Sequence, residues 1–313
     1  MTGKKIAGKA SFQLVRFLLF LSRFLPVKAS YAICDFFASI GSSLNWNRKQ
    51  VALANLDIAF PEKTDQERLA IFKVSLAKLL KNYFEICFLT SGKWTASDVS
   101  EAVTASGLEH LDGLKYSGKG ALLYSGHIGN FPLMVIWLAL KGYPVAVVYK
   151  EAKNFPDDFF GSIMSRYNVT PLKYKSDPSL TALIIRSLKE KKIVLIQNDQ
   201  SHPHGVYINF FNKSVPSLAG PALLSMRLGV SVIPAYIIRD SDDHHHLTIS
   251  PEIPIKDVSE DEDPIIVNTQ EQIDWIAGIV KTHPTEWLWL HKRWKRARSC
   301  YLAVRVESAR FKF

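Results

Sequence analysis

The sequence predicts an α/β protein with a mostly parallel central sheet, helices on both faces, and an N-terminal helical membrane-associated segment. Three observations predict it. From Gly107 onward, short β-rich runs alternate with helical patterns of about a dozen residues, which is how βαβ units read. The uncharged window Gly120–Leu140 is interrupted by turn residues from Ser125 to Pro132, so it reads as buried strand, loop and helix rather than a membrane span. Finally, 313 residues that are 47% hydrophobic and 22% charged supply a sizeable core and exclude a disordered chain. With only 16 Gly and 15 Pro, a collagenous or low-complexity chain is excluded too.

The N-terminal segment is assigned to residues 1–47. Its apolar stretch Phe12–Val27 is broken by Arg16 and Arg23 and is followed by no clean small-x-small cleavage site, so it is not read as a removable signal. Lys9, Arg16 and Arg23 are seven apart and share one helical face, with Val15, Phe17–Leu21, Phe24 and Leu25 covering the rest. A basic-striped apolar helix of this kind lies in a bilayer interface with its cations near anionic head groups. The competing reading packs it on the protein's own domain with three snorkelling cations.

Residues 48–313 are read as one domain, with 48–106 as a helical layer and 107–313 as the sheet core and a basic C-terminus. Thr64 or Asp65 caps a helix running through Glu67, Ile71, Val74, Leu80 and Tyr83. Strands are expected at Ala121–Ser125, Val145–Tyr149, Thr170–Tyr174, Ile193–Gln197, Ser231–Ile238 and His245–Ile249. Helices are expected over about 130–141, 157–167, 178–190, 216–228 and 270–281. Cys34, Cys87 and Cys300 are few, odd in number and far apart. They make neither a disulfide framework nor a CxxC metal site.

The charge is strongly basic, +10 with a pI near 9.4, and this points to an anionic partner. The run His291–Arg298 carries five Lys/Arg with Trp294 inside it and Trp289 just before. It carries no recognised nucleic-acid motif, so an anionic membrane surface or an acidic acyl carrier protein is expected there and no nucleic acid. In Asp242-Asp243-His244-His245-His246 the adjacent histidines enter a strand and alternate faces, so no metal is expected.

In parallel sheets ligands collect at the carboxyl ends of the strands. Those ends present Ser125-Gly126-His127, then Lys150-Glu151, then Asn198-Asp199-Gln200. A histidine on a Gly-flanked loop at a strand end serves as a general base near neutral pH. Arg239, after the strand Ser231–Ile238, is expected on the same rim. There it binds a phosphate or sugar-phosphate head group, or pairs with Asp240 or Asp242.

Four blocks in order carry a resemblance. They are Asn55-Leu56 with Ala59-Phe60-Pro61-Glu62; Ser125 through Phe131; Asn198-Asp199-Gln200 with Gly205-Val206, Phe210-Phe211 and Gly220-Pro221-Ala222; and Glu286 through Lys295. Together they resemble the lipid A biosynthesis (lauroyl/myristoyl) acyltransferase family, within the wider lysophospholipid acyltransferase superfamily. The resemblance implies transfer of a fatty acyl chain to a hydroxyl of a membrane lipid, a lipid A precursor or related glycolipid. The donor would be an acyl carrier protein or CoA thioester, with no other cofactor, and the place the cytoplasmic face of the inner membrane. His127 matches the catalytic histidine. Gly129 and Asn130 of its loop, with Phe210, Phe211 and Arg239, are assigned to substrate binding.

The family motif puts an acidic residue five positions after the histidine, and here that position is Pro132. No Asp or Glu occurs between Gly113 and Lys150. Asp199 or Glu151 then supplies the carboxylate, or His127 works without one, or the chain is an inert lipid-binding relative.

Overall fold

Helices come first in the computed structural model, which describes residues 20, 22–150, 158–174 and 179–297. They are α1 (Val27–Ser43), α2 (Asn47–Ala59), α3 (Asp65–Ser91) and the short α4 (Ala96–Ala102). Thr64 starts α3 with a capping box: its hydroxyl accepts from the Glu67 backbone N–H, while the Glu67 carboxylate accepts from the Thr64 N–H. Gly92 ends it in the left-handed region at φ 75°. Helix α1 packs along α3, burying Tyr31, Cys34 and Ala38. Residues 27–43 therefore belong to the helical layer, and the boundary expected at residue 47 does not separate them from it. Lys9 and Arg16 of the proposed basic stripe lie outside the described residues.

The sheet alternates as the sequence predicts, with one added strand, β1. Its strands are β1 (Val103–Ser106), β2 (Ala121–Ser125), β3 (Val145–Tyr149), β4 (Thr170–Lys173), β5 (Ile193–Gln197), β8 (Val232–Arg239) and β9 (His245–Ile249), in the order β1-β9-β8-β2-β5-β3-β4. Every neighbouring pair is parallel except β8 with β9. Between the strands run α5 (Glu109–Ser117), α6 (Phe131–Leu140), α7 (Phe159–Arg166), α8 (Ser179–Lys189) and α9 (Gly220–Leu228), and α10 (Pro264–Thr282) follows the last strand.

Both faces of the sheet are covered. In β2, Ala121 and Leu123 enter the core that includes α6, while Leu122 and Tyr124 enter the one that includes Phe72 of α3 and Ile273 of α10. Helix α6 is buried from Pro132 to Leu138, as a helix apolar on every side must be.

One sequence expectation fails locally. Residues 216–228 were to be one helix, but Lys213–Ser217 forms β7 and pairs antiparallel with β6 (Val206–Phe210), so α9 begins only at Gly220. The hairpin turns through Phe211 and Asn212 at φ 52° and 56°, the backbone of a two-residue primed turn. Without the usual Asn-Gly or Asp-Gly pair, that turn leaves no sequence signal.

Candidate active site

Strand register sets the site. Strands β2 and β5 are parallel neighbours with Ser125 opposite Gln197. Two residues beyond each partner stand His127 and Asp199, on adjoining loops at the carboxyl edge of the sheet. Gly126 allows the loops to close: a Cβ there would sit 3.2 Å from the Asp199 carboxyl carbon, tighter than most side-chain contacts.

The Asp199 carboxylate grips His127 twice. One oxygen is 2.7 Å from the ring Nδ1, and the other accepts the His127 backbone N–H at 2.7 Å. That second oxygen also accepts the indole N–H of Trp287 at 2.7 Å. Asp199 is only 2% exposed, and burial alone raises a carboxyl pKa. The adjacent His127 and these three donors outweigh burial and hold Asp199 down at about 2. An ionised Asp199 fixes the proton of the neutral ring on Nδ1, which leaves Nε2 as a lone-pair acceptor. The Gln200 amide nitrogen lies 3.1 Å from that Nε2.

The strap Pro284–Leu290 holds the loop from the other side. Gly129 N–H donates to the Glu286 carbonyl at 2.9 Å, and Leu288 N–H donates to the His127 carbonyl at 3.1 Å. Gly129 adopts φ 57°, and a Cβ there would fall 1.8 Å from the Ile237 carbonyl oxygen, so no side chain fits. Asn130 caps α6, its carbonyl oxygen accepting from Leu133 N–H, while its amide donates to Glu85 at 2.6 Å.

Beside the imidazole opens a cleft of about 270 Å³, lined by His127 and by apolar groups including Phe72, Leu76, Leu79, Ile86 and Phe131. The His127 side chain is 22% exposed, so the ring is reachable. Pro132 also lines this cleft, from the start of α6 where a missing N–H costs no helical hydrogen bond.

A model of the family described as bacterial lipid A biosynthesis acyltransferase matches residues 5–296. The chain belongs to that family. It is 24% identical over 225 residues, 70% of each chain, to the phosphatidylinositol mannoside acyltransferase of Mycolicibacterium smegmatis. The protein of the same name from Mycobacterium tuberculosis is 24% identical over 193 residues, 60% of this chain and 58% of that one. A lipid A biosynthesis myristoyltransferase of Escherichia coli is 22% identical over 255 residues, 80% of this chain and 76% of its own.

As a lipid A biosynthesis-type acyltransferase, the chain brings His127, Gly129, Asn130 and Asp199 together at one sheet edge. Glu151 lies outside the described residues. Arg239 is a correction: it ends β8, but its guanidinium turns inward and its side chain is 2% exposed. Glu85 Oε1 lies 2.8 Å from its Nη1, and Asn82 accepts from Nη2 at 2.7 Å. No Asp240 or Asp242 pairing forms with it; the contact on that turn is Asp243, 3.6 Å away. An arginine so committed presents nothing to a head group.

Phe210 is a second correction. It is buried, stacked on Trp294 at 5.5 Å, and lines no part of the cleft. Phe211 packs beside it against Phe60 and Trp294, also away from the cleft. The basic run divides likewise. Arg293 and Trp294 are buried, with Arg293 donating to the Pro216 carbonyl, while Lys292, Lys295 and Arg296 are exposed. Arg298 lies outside the described residues. His245 turns in to Glu85 and His246 out to Thr104 and Ser106, alternating as adjacent strand residues do. Among the described residues no three His, Cys, Asp or Glu side chains are placed to hold a metal ion.

Two participants were not assigned from sequence. Trp287 stood inside a recognised block without a role. Gln200 was noted only as a polar neighbour of Asp199.

Proposed function

We propose that the protein transfers a fatty acyl chain from a carrier thioester, on acyl carrier protein or CoA, to a hydroxyl of a glycolipid. The observation that carries this reading is the buried, ionised Asp199 bonded to His127 beside an apolar cleft. In the proposed reaction His127 Nε2 takes the proton of the acceptor hydroxyl as its oxygen attacks the thioester carbonyl. The new C–O bond forms, the C–S bond breaks, and the imidazolium returns its proton to the departing thiolate. Asp199 stabilises the imidazolium and keeps the ring oriented, the work an acid at position 132 would otherwise do. The chemistry calls for no cofactor beyond the thioester. Apolar walls suit the acyl chain, each buried methylene contributing roughly 0.8 kcal/mol.

The relatives' names, for phosphatidylinositol mannoside in one group and lipid A in the other, support a glycolipid acceptor, a lipid A precursor or a molecule of that kind. Attachment to the cytoplasmic face of the inner membrane is supported by aromatic side chains left in solvent. Phe24, Phe36 and Phe37 are 70%, 62% and 57% exposed on α1 and the turn before it. No helix of the described residues is long and apolar enough to cross a membrane, so the attachment proposed is peripheral or monotopic.

Mass spectrometry of membrane lipids from cells with and without the intact gene tests the function. A glycolipid lighter by one acyl chain is expected without the gene, and the same species with a His127→Ala gene. Identical lipid profiles in all three strains would overturn the reading.

A further inference from the structure

We infer that Lys78 and Glu286 are positioning residues: their ion pair fixes the start of the strap and so sets where Asp199 and His127 stand in the cleft. The inference rests on the reading of His127 as the base. Lys78 Nζ meets Glu286 Oε1 directly, and the two side chains are 21% and 2% exposed. The pair is seated on the end of β8. There the Arg239 N–H donates to Glu286 at 3.2 Å, and the Arg239 carbonyl accepts from Lys78 at 3.1 Å.

From Glu286 the constraint reaches the catalytic pair in short steps. Its own carbonyl accepts Gly129 N–H, two residues after His127. The next residue is Trp287, whose indole N–H braces the Asp199 carboxylate, and Leu288 N–H then holds the His127 carbonyl. Among the described residues Lys78 is the one cation in ion-pair contact with Glu286, and Glu286 Oε2 has no hydrogen-bond partner. Without Lys78 a buried carboxylate is left uncompensated. It regains solvation only by pulling the strap toward water.

The rest of the strap is held by other means. Asn55 donates to the Trp289 and His291 carbonyls, and Ser75 donates to the Trp287 carbonyl. Trp287 and Trp289 pack among Phe60, Phe210 and Trp294. A chain lacking Lys78 is therefore expected to fold, with freedom gained at Glu286 and at the His127 loop. A displacement of about 1 Å between reacting groups costs on the order of 100-fold in rate.

The experiment uses the purified full chain with palmitoyl-CoA in detergent micelles, reading free thiol, with circular dichroism as the check on folding. Hydrogen–deuterium exchange over residues 126–130 and 284–290, followed by mass spectrometry, reads the strap independently of turnover. Lys78→Met is expected to lower kcat roughly 100-fold with KM little changed, and to speed exchange in both segments. Adding Glu286→Gln removes the stranded charge while its amide oxygen still accepts from Arg239. The double variant should recover to within roughly 10-fold of the parent, which lost packing at Lys78 would not allow. Glu286→Gln alone keeps the shape and exchanges a charged bond for a neutral one, so it should lower kcat roughly 2- to 10-fold and speed exchange. It carries the test if Lys78→Met does not fold, and parental kcat or parental exchange in it then overturns the inference.

Exchange at the parental rate in folded Lys78→Met overturns the positioning role. So does a parental kcat with a loosened strap, or a double variant no faster than Lys78→Met. If neither parent nor variant releases thiol while exchange still quickens, the brace on the strap stands and the acyl-transfer reading fails.

Discussion

Among the described residues two histidine–carboxylate pairs stand out, His127 with Asp199 at the sheet edge and His245 of β9 with Glu85 of α3. Of these two the first faces the cleft. His127 meets Asp199 at 2.7 Å with its ring partly exposed, whereas His245 meets Glu85 at 3.1 Å with both side chains wholly buried. The surroundings diverge further. Asp199 otherwise receives neutral donors, the Trp287 indole and a backbone N–H. Glu85 faces the Arg239 guanidinium and also receives the Tyr31 hydroxyl and the Asn130 amide. Burial pushes the Glu85 carboxyl up, but His245 and Arg239 outweigh it and hold it well below the usual carboxylate range. A pair becomes a candidate base when its second ring nitrogen is reachable; His127 meets that condition. The second nitrogen of His245, Nδ1, is buried without a hydrogen-bond partner among the described residues. The inner pair instead ties α1, α3, β8 and β9 beneath the capped start of α6.

Removing each pair in turn should separate activity from stability. His127→Ala is expected to lower thiol release from a long-chain acyl-CoA by roughly 10⁴-fold with the thermal midpoint nearly unchanged, since the ring packs little. A loss of only a few-fold in the purified variant would remove His127 from the mechanism. Asp199→Asn keeps the shape but removes the charge that stabilises the imidazolium. Turnover should fall by about 10²–10⁴-fold, seen in kcat more than KM.

Glu85→Gln should show itself in the other measurement. It strands a buried guanidinium, so chemical denaturation should report a loss of about 3–5 kcal/mol. If the variant unfolds at the parental denaturant midpoint, the inner pair contributes nothing to holding the layers together.

The smallest effect is a matter of pH. A carboxyl held lower in the folded chain than in the unfolded one adds stability that is complete above its unfolded value. That stability drains away as pH falls through the folded value. For Asp199 the window therefore runs from about 4 down to about 2. Asp199→Asn should flatten the acid limb of the stability curve there and, above pH 5, lower the curve by a constant amount without changing its slope. A displacement that stays the same from neutral pH down through pH 2 would mean that the Asp199 charge does not titrate with folding.

The outer pair was largely legible in the sequence and the inner one was not. Parallel strands gather their carboxyl ends along one edge, so His127 and Asp199 were read from their places after two expected strands, with Thr64 at the head of α3 readable from its capping pattern. Glu85 carried no such mark. In the sequence it is one polar residue in a long helix, and the residues it joins, Tyr31, Arg239 and His245, come from distant segments. Without that partner Arg239 could only be read as a rim cation, bound to a head group or paired with Asp240 or Asp242. The β6–β7 hairpin was hidden for a local reason, because Phe211-Asn212 adopts positive φ without glycine. Phe210 was taken for a substrate contact because its block was recognised while its tryptophan neighbours, more than seventy residues on, were not connected to it.

Trp287 also sets a timetable. The ring, its carboxylate and the indole that braces the carboxylate enter the growing chain in that order. About 160 residues separate the first from the last, or roughly 8–30 s at ordinary rates of synthesis. Over the last 88 of those residues the nascent polypeptide already carries both His127 and Asp199, but Asp199 lacks one of its three donors and the His127 loop lacks the strap that fixes it. A chain interrupted before residue 287 would thus hold the reactive pair with its frame incomplete. Translation itself delays the finished geometry until most of the cleft's walls have been made.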